Sequence, residues 1–283
     1  GCPRNPVLSA RHLGRKVDVV GPGHADLVQT QDGDWWAVLL AARPSDGDWW
    51  GTSRETFLVP VGWEDGWPVF APGVGRVPLT LESPSLRAHP WPVTAARDDF
   101  DDAELSPEWS MLRTPHSRWW SLSERPGQLR LRLRPEAPDS FGNPSMVLRR
   151  VEHAHWRASM SLDFAPAGPG CVAGLAVWVN DTDQLRVEAD GLAVRVIRRE
   201  HSTDATIAEL VVEGGPVVLG VEAQGRQLTV RAGQVAAATL DIGFLGQRVN
   251  GYFFGMLVGP YATGSTGFAD VDWFDYAGLS PPG

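Results

Sequence analysis

The chain has 283 residues, 43% of them hydrophobic and 13 of them tryptophan, which is enough apolar surface for one large or two medium packed domains. Its formal net charge is −9 and it has no cluster of Lys and Arg, which speaks against nucleic acid or an anionic membrane surface as a partner. No segment approaches the roughly 18 consecutive apolar residues of a membrane span. Cys2 and Cys171 make neither a metal-ligand nor a disulfide spacing, so a soluble chain without membrane, metal, cofactor or disulfide framework is expected.

In chain order, Pro6 to Ala10 reads as a short outer strand. Then come Gly21-Pro22-Gly23-His24-Ala25-Asp26 and two strand-forming runs, Asp26 to Thr30 and Trp35 to Ala41, on either side of Gln31-Asp32-Gly33-Asp34. Asp-Gly between apolar runs signals a hairpin, because both residues tolerate positive φ. A third run, Glu55 to Val61, leads to a second Asp-Gly turn in Trp63-Glu64-Asp65-Gly66-Trp67. Two successive Trp-decorated hairpins match one four-stranded propeller blade, which cannot close a propeller by itself. Between Gly73 and Ala96, Pro78, Pro84, Pro90 and Pro92 interrupt any regular element, so residues 73–95 read as a stiff linker after a blade region at 1–72.

The remainder, 96–278, reads as all-β. Leu129, Leu131 and Leu133 alternate with Arg130, Arg132 and Arg134, and Leu192, Val194 and Val196 alternate with Ala193 and Arg195. Further strands are expected at Trp156 to Phe164, Val172 to Val179, Gln184 to Glu188, Ala208 to Val212, Val217 to Glu222, Leu228 to Arg231 and Val271 to Tyr276. Many short strands with no helical pattern imply a two-sheet sandwich.

The stretch Gly21 to Val69, with Gly-His-Ala-Asp at 23–26 and Arg54-Glu55-Thr56, resembles a late blade of the five-bladed β-propeller of glycoside hydrolase family 43, the β-xylosidases and α-arabinofuranosidases. Asp98-Asp99-Phe100, Trp109 to Arg113, Arg125 to Leu129, Leu148-Arg149-Arg150, Ala173-Gly174-Leu175 and Ala269 to Tyr276 resemble the concanavalin A-like C-terminal domain, a jelly-roll sandwich, of its two-domain members. The family commonly has Gln after the Arg-Arg pair, where this chain has Val151, and Gly before the Arg-Glu-Thr, where it has Ser53.

The resemblance implies the C-terminal part of an exo-glycosidase that removes xylose or arabinose from hemicellulose oligosaccharides by inversion. Its partners would be a xylo- or arabino-oligosaccharide and the missing N-terminal propeller blades. A neutral sugar is compatible with the chain's charge. In the family, a general-base aspartate, a general-acid glutamate and a third, tuning aspartate come from earlier blades, so no catalytic carboxylate is expected here and all three belong upstream of Gly1. The resemblance places His24 at the floor of the sugar funnel, where imidazole can donate to and accept from hydroxyls. Arg54 would hold glycone hydroxyls with its forked donors.

Other candidates read more plainly. Asp26 at a strand start is expected to satisfy local backbone donors. The groups Asp98, Asp99, Asp101, Asp102 and Asp270, Asp272, Asp275 lack the spacing of a calcium loop and read as solvated strand surroundings. His153 and His155 share a strand face by alternation but have no third ligand nearby. Trp35-Trp36, Trp49-Trp50 and Trp119-Trp120 read as core, since neighbours in a strand face opposite ways. The alternative to a glycosidase part is a non-catalytic carbohydrate-binding or structural sandwich.

Overall fold

The structure is a computed structural model, and it describes residues 1–14, 17–45, 49, 51–82, 86–93, 95–246 and 255–281. These residues form strands, turns and two short 3-10 turns and no α-helix, and they divide into two compact units, Gly1–Val93 and Thr94–Gly283.

The first unit is one four-stranded antiparallel sheet in simple order: β1 (Val20–Gln29), β2 (Trp35–Ala42), β3 (Arg54–Glu64) and β4 (Trp67–Phe70). Turn chemistry sets its register. Asp65 and Gly66 take φ of 52° and 77°, the two-residue turn that matches strand twist, and Glu64 pairs with Trp67 across it. In the longer first turn Gly33 has φ 94°, and Thr30 N–H donates to Asp34 O at 2.8 Å.

Alternation then gives the sheet two unlike faces. Ala37, Leu39, Ala41, Val59 and Val61 form one buried face with Val19, Phe70, Ala71 and Val77, and Val7 and Leu8 pack against it. On the other face Val28, Val38 and Leu58 stay 47%, 40% and 40% exposed, an apolar surface left open. Residues 6–10 form no strand, contrary to the sequence reading. No ladder partner takes up that segment among the described residues, and it contributes Val7 and Leu8 as packing instead. Residues 71–82 and 86–93 likewise carry no strand.

The second unit is a two-sheet sandwich. Its larger sheet has the order β17 (Val235–Asp241), β16 (Gln227–Ala232), β15 (Val217–Gln224), β10 (His155–Asp163), β19 (Phe268–Gly278), β8 (Leu129–Arg132) and β7 (Trp120–Ser121), with β5 (Arg97–Asp98) also paired to β19. The smaller sheet runs β14 (Thr203–Val211), β13 (Ala193–Glu200), β12 (Gln184–Ala189), β11 (Val172–Trp178), β18 (Leu257–Thr263), β9 (Ser145–Arg150) and β6 (Ser110–Met111). Alternate residues such as Trp156, Ala158, Met160 and Leu162 on β10 are buried, while Arg157, Ser159 and Ser161 between them are not.

Several expectations are corrected here. Leu192 is 77% exposed, because Asp190 Oδ1 accepts from the amides of Leu192 and Ala193 and holds Leu192 in the turn before β13. His153 and His155 do not share a strand face. His153 precedes β10 and lies 3.1 Å from Tyr276 OH, while His155 opens β10 and lies 3.1 Å from Gln224 Oε1. Trp36, Trp49 and Trp119 are core, whereas Trp50 lies outside the described residues. Val151 is fully buried and its amide donates to Met256 O, a packing role.

Asp270 is not solvated. Its carboxylate accepts from Arg130 Nε and Nη2 at 2.8 Å and from Arg125 Nη1 at 2.7 Å, and Arg125 also donates to Asp163. Burial pushes the Asp270 carboxyl up, but the hydrogen bonds from Arg130 and then Arg125 outweigh it and hold the group below the usual carboxylate range. A depressed folded pKa gives stability that is present above the unfolded value and lost as pH falls through the folded one. Asp270→Asn should therefore cost about 2 kcal/mol at neutral pH, in the range of charge-assisted hydrogen bonds. In urea titrations across pH, the gap to wild type should close as pH falls below about 4, the unfolded carboxylate value.

Candidate sugar site on the blade

His24 and Arg54 stand on β1 and β3 with β2 between them, Arg54 at an end of the four-stranded sheet and His24 nearer its middle. Arg54 opens β3 opposite Ala42, whose other neighbour is Val20. His24 follows Gly23, which pairs with Leu40, and Leu40 pairs with Thr56. Two strand spacings and about three residue rows separate them, roughly 10 Å across the sheet and 10 Å along it. One small ligand can span that distance with long side chains reaching inward.

The local backbone is unusual at both positions. The β1 register shifts between Val20 and Gly23 and again between Gly23 and Asp26, so His24 sits inside a bulged stretch, with φ 51°. Bulges re-aim side chains and interrupt pairing. Ser53, just before Arg54, has φ 58° and is fully buried. A left-handed backbone is what glycine adopts most readily, so the glycine of the family motif and the serine of this chain meet the same conformational demand. Arg54 itself is half-buried. Its neighbour Glu55 is held by Arg43 Nε and Nη2 at 2.7 and 2.6 Å.

Sequence reasoning misjudged Asp26. The carboxylate is exposed and makes no hydrogen bond or ion pair among the described residues, so it does not satisfy local donors. It stands two residues past His24, beside Val38. Asp98, by contrast, is tied up: Oδ1 accepts from the Phe100 amide at 2.8 Å and Oδ2 from Trp109 Nε1 at 2.7 Å. Chemically, the blade offers a cation and an imidazole that can orient hydroxyl groups.

The strained backbone at His24 has a measurable cost. His24→Gly and His24→Ala both remove the imidazole, but only glycine relieves the left-handed conformation. Native-state hydrogen exchange should show the β1–β2 ladder more protected in His24→Gly than in His24→Ala by about 1 kcal/mol.

Comparison with known proteins agrees with this architecture. Residues 97–277 match the β-xylosidase C-terminal concanavalin A-like domain, and residues 1–68 match glycosyl hydrolases family 43. The chain is 37% identical to a non-reducing end α-L-arabinofuranosidase of Bacteroides ovatus over 97% of this chain and 54% of that protein. It is 33% identical to a xylosidase/arabinosidase of Butyrivibrio fibrisolvens over 98% of this chain and 55% of that protein. The chain thus spans about half the length of these curated relatives. Among solved structures it is similar to a Bacteroides ovatus xyloglucan PUL GH43 protein, with a TM-score of 0.92, 33% identity and coverage of 98% of this chain and 57% of that one. A GH43 protein of Bacillus licheniformis gives 0.90 and 30%, with coverage of 98% and 57%. With both segments matched in order and the sandwich matched almost end to end, the chain belongs to glycosyl hydrolases family 43 and is a C-terminal part of that family's two-domain architecture.

Proposed function

We propose that the chain is the C-terminal part of a glycosidase that removes terminal xylose or arabinose from hemicellulose oligosaccharides by inversion. The observation that carries this reading is the blade's open apolar face, with Val28, Val38 and Leu58 uncovered, on a sheet that bears His24 and Arg54. A preceding blade would cover that face, and preceding blades would supply the acid and base. In this reading residues 1–72 are the last blade of the propeller, 73–95 link it to the sandwich, and 96–278 are the sandwich.

The chemistry divides accordingly. Inversion needs an acid that protonates the leaving oxygen and a base that activates water on the opposite face of the sugar. Arg54 and His24 perform neither step. Arg54 donates to glycone hydroxyls, and His24 fixes a hydroxyl or carboxylate at the pocket floor. The names of the relatives support both pentoses, and the arginine serves either, since xylose and arabinose present similar rims of hydroxyls.

Residues 1–283 alone should give no turnover of aryl xylosides or arabinosides. In the protein that includes the preceding blades, Arg54→Ala should lower kcat/KM by about ten- to two-hundred-fold, equivalent to the roughly 1.5–3 kcal/mol of a charge-assisted hydrogen bond. Arg54→Lys should recover only part of that, because an ammonium cannot reproduce a planar fork. His24→Ala should fall in the same range. Near-wild-type kcat/KM in both alanine variants, with unchanged circular dichroism, would assign the two residues to scaffold.

A further inference from the structure

The outward face of the larger sheet carries a hollow that the blade chemistry does not use. Arg231, Gly220, Ser159, Asp275 and Arg97 are successive neighbours in one row across β16, β15, β10, β19 and β5. Five strands in register span roughly 19 Å. Over the middle of that row lies a cavity of about 340 Å³, whose lining adds Arg157, Glu222 and Trp273. Its size is at the lower end of small-molecule sites.

Glycine makes the floor, and nothing else in the structure requires it there. Gly220 sits inside β15 and is not among the residues of positive φ. A Cβ added at Gly220 would meet Ser159 Cβ at 3.5 Å and the Ala158 carbonyl oxygen at 3.6 Å, ordinary contacts. Glycine inside a strand weakens it, and often marks the close approach of another group. With Ser159 beside it, the residue leaves a shallow floor walled by longer side chains.

The walls match a polyhydroxylated ring. Trp273, one face of which is covered by the Arg97 guanidinium 4.5 Å from its ring centroid, walls one side of the hollow with apolar surface that suits the C–H groups of a sugar. Glu222 and Arg231 make no hydrogen bond or ion pair among the described residues, so an acceptor and a set of fixed donors face the hollow uncommitted. Asp275 has only a long contact to Arg157, at 3.9 Å. Charge points to a neutral ligand. Arg157 and Arg231 are balanced by Glu222 and Asp275, and Arg97 is held by Asp99 at 2.6 Å.

We propose that this hollow is a saccharide-binding site on the sandwich that takes a neutral xylo-oligosaccharide, its rings over Gly220 and Ser159 and against Trp273. Glu222 and Asp275 accept from hydroxyls, and Arg157 and Arg231 donate to them. The choice of xylose rests on the function proposed above; the site's geometry does not. Such a site would hold the polymer while its end is processed.

The test is an amide NMR titration of the 1–283 chain with xylotetraose to about 10 mM, a range that captures the millimolar affinity typical of shallow sites. The amides of Ser159, Gly220, Glu222, Arg231 and Asp275 should shift together. Gly220→Val fills the floor and should weaken binding by about ten-fold or more, in the range of 1.4 kcal/mol, with the rest of the spectrum unchanged. Glu222→Gln, at an exposed side chain without partners, is the second variant and should weaken binding without disturbing the fold. No shift at these amides, shifts confined to the His24 and Arg54 region, or equal binding by wild type and both variants would overturn the site. Loss of the predicted Arg54 effect on kcat/KM would count against the glycosidase reading and leave the titration standing.

Discussion

A β-sheet has two faces, and an apolar face in water must be covered by something. The two units of this chain meet that constraint in different ways. In the sandwich the sheets cover each other: Trp156, Met160 and Leu162 of one and Leu175, Val187 and Val196 of the other are all buried. The outward face of the larger sheet can then be polar, which leaves it free to carry Ser159, Glu222 and Arg231. In the blade, the loops around Val7, Val19 and Val77 cover one face, and the row through Val38 and Leu58 is left open. Strand order alone would not distinguish these cases. Burial does.

Backbone conformation sets the two candidate sugar-binding residues apart from the rest of the blade's sheet. Regular pairing fixes side chains on alternate faces, so re-aiming one requires a break in the ladder. The double register shift around His24 and the left-handed Ser53 before Arg54 are such breaks, on strands that are otherwise fully paired. Each costs some stability.

The parts legible in the sequence were those encoded locally. Asp65-Gly66 dictates its own turn, and the Leu129-Arg130-Leu131-Arg132 alternation dictates its own strand. The family resemblance reached both halves of the chain because its motifs are contiguous. What stayed hidden depended on register or on distant partners. The ion cluster joins Asp270 to Arg125 and Arg130 across about half the chain, and no local pattern marks an aspartate as buried. The bulge at His24 follows from which β2 residues face β1. The row from Arg231 to Arg97 exists only once five strands are aligned. Leu192 misled because a periodicity that is correct for Val194 and Val196 was extended one residue into a turn held by Asp190.

The last strand has the widest reach. β19 is flanked by β10 on one edge and on the other by β8 and β5, so residues 268–278 join segments near 97, 130 and 160. Those contacts close loops of more than a hundred residues, the kind that form slowly. During synthesis the larger sheet therefore lacks its middle until residues 268–278 leave the ribosome. Until then β10 and β8 present unpaired edges to the cell. From the completion of β10 to that of β19 the nascent chain is exposed to aggregation or chaperone capture, and loss of β19 would make that exposure permanent.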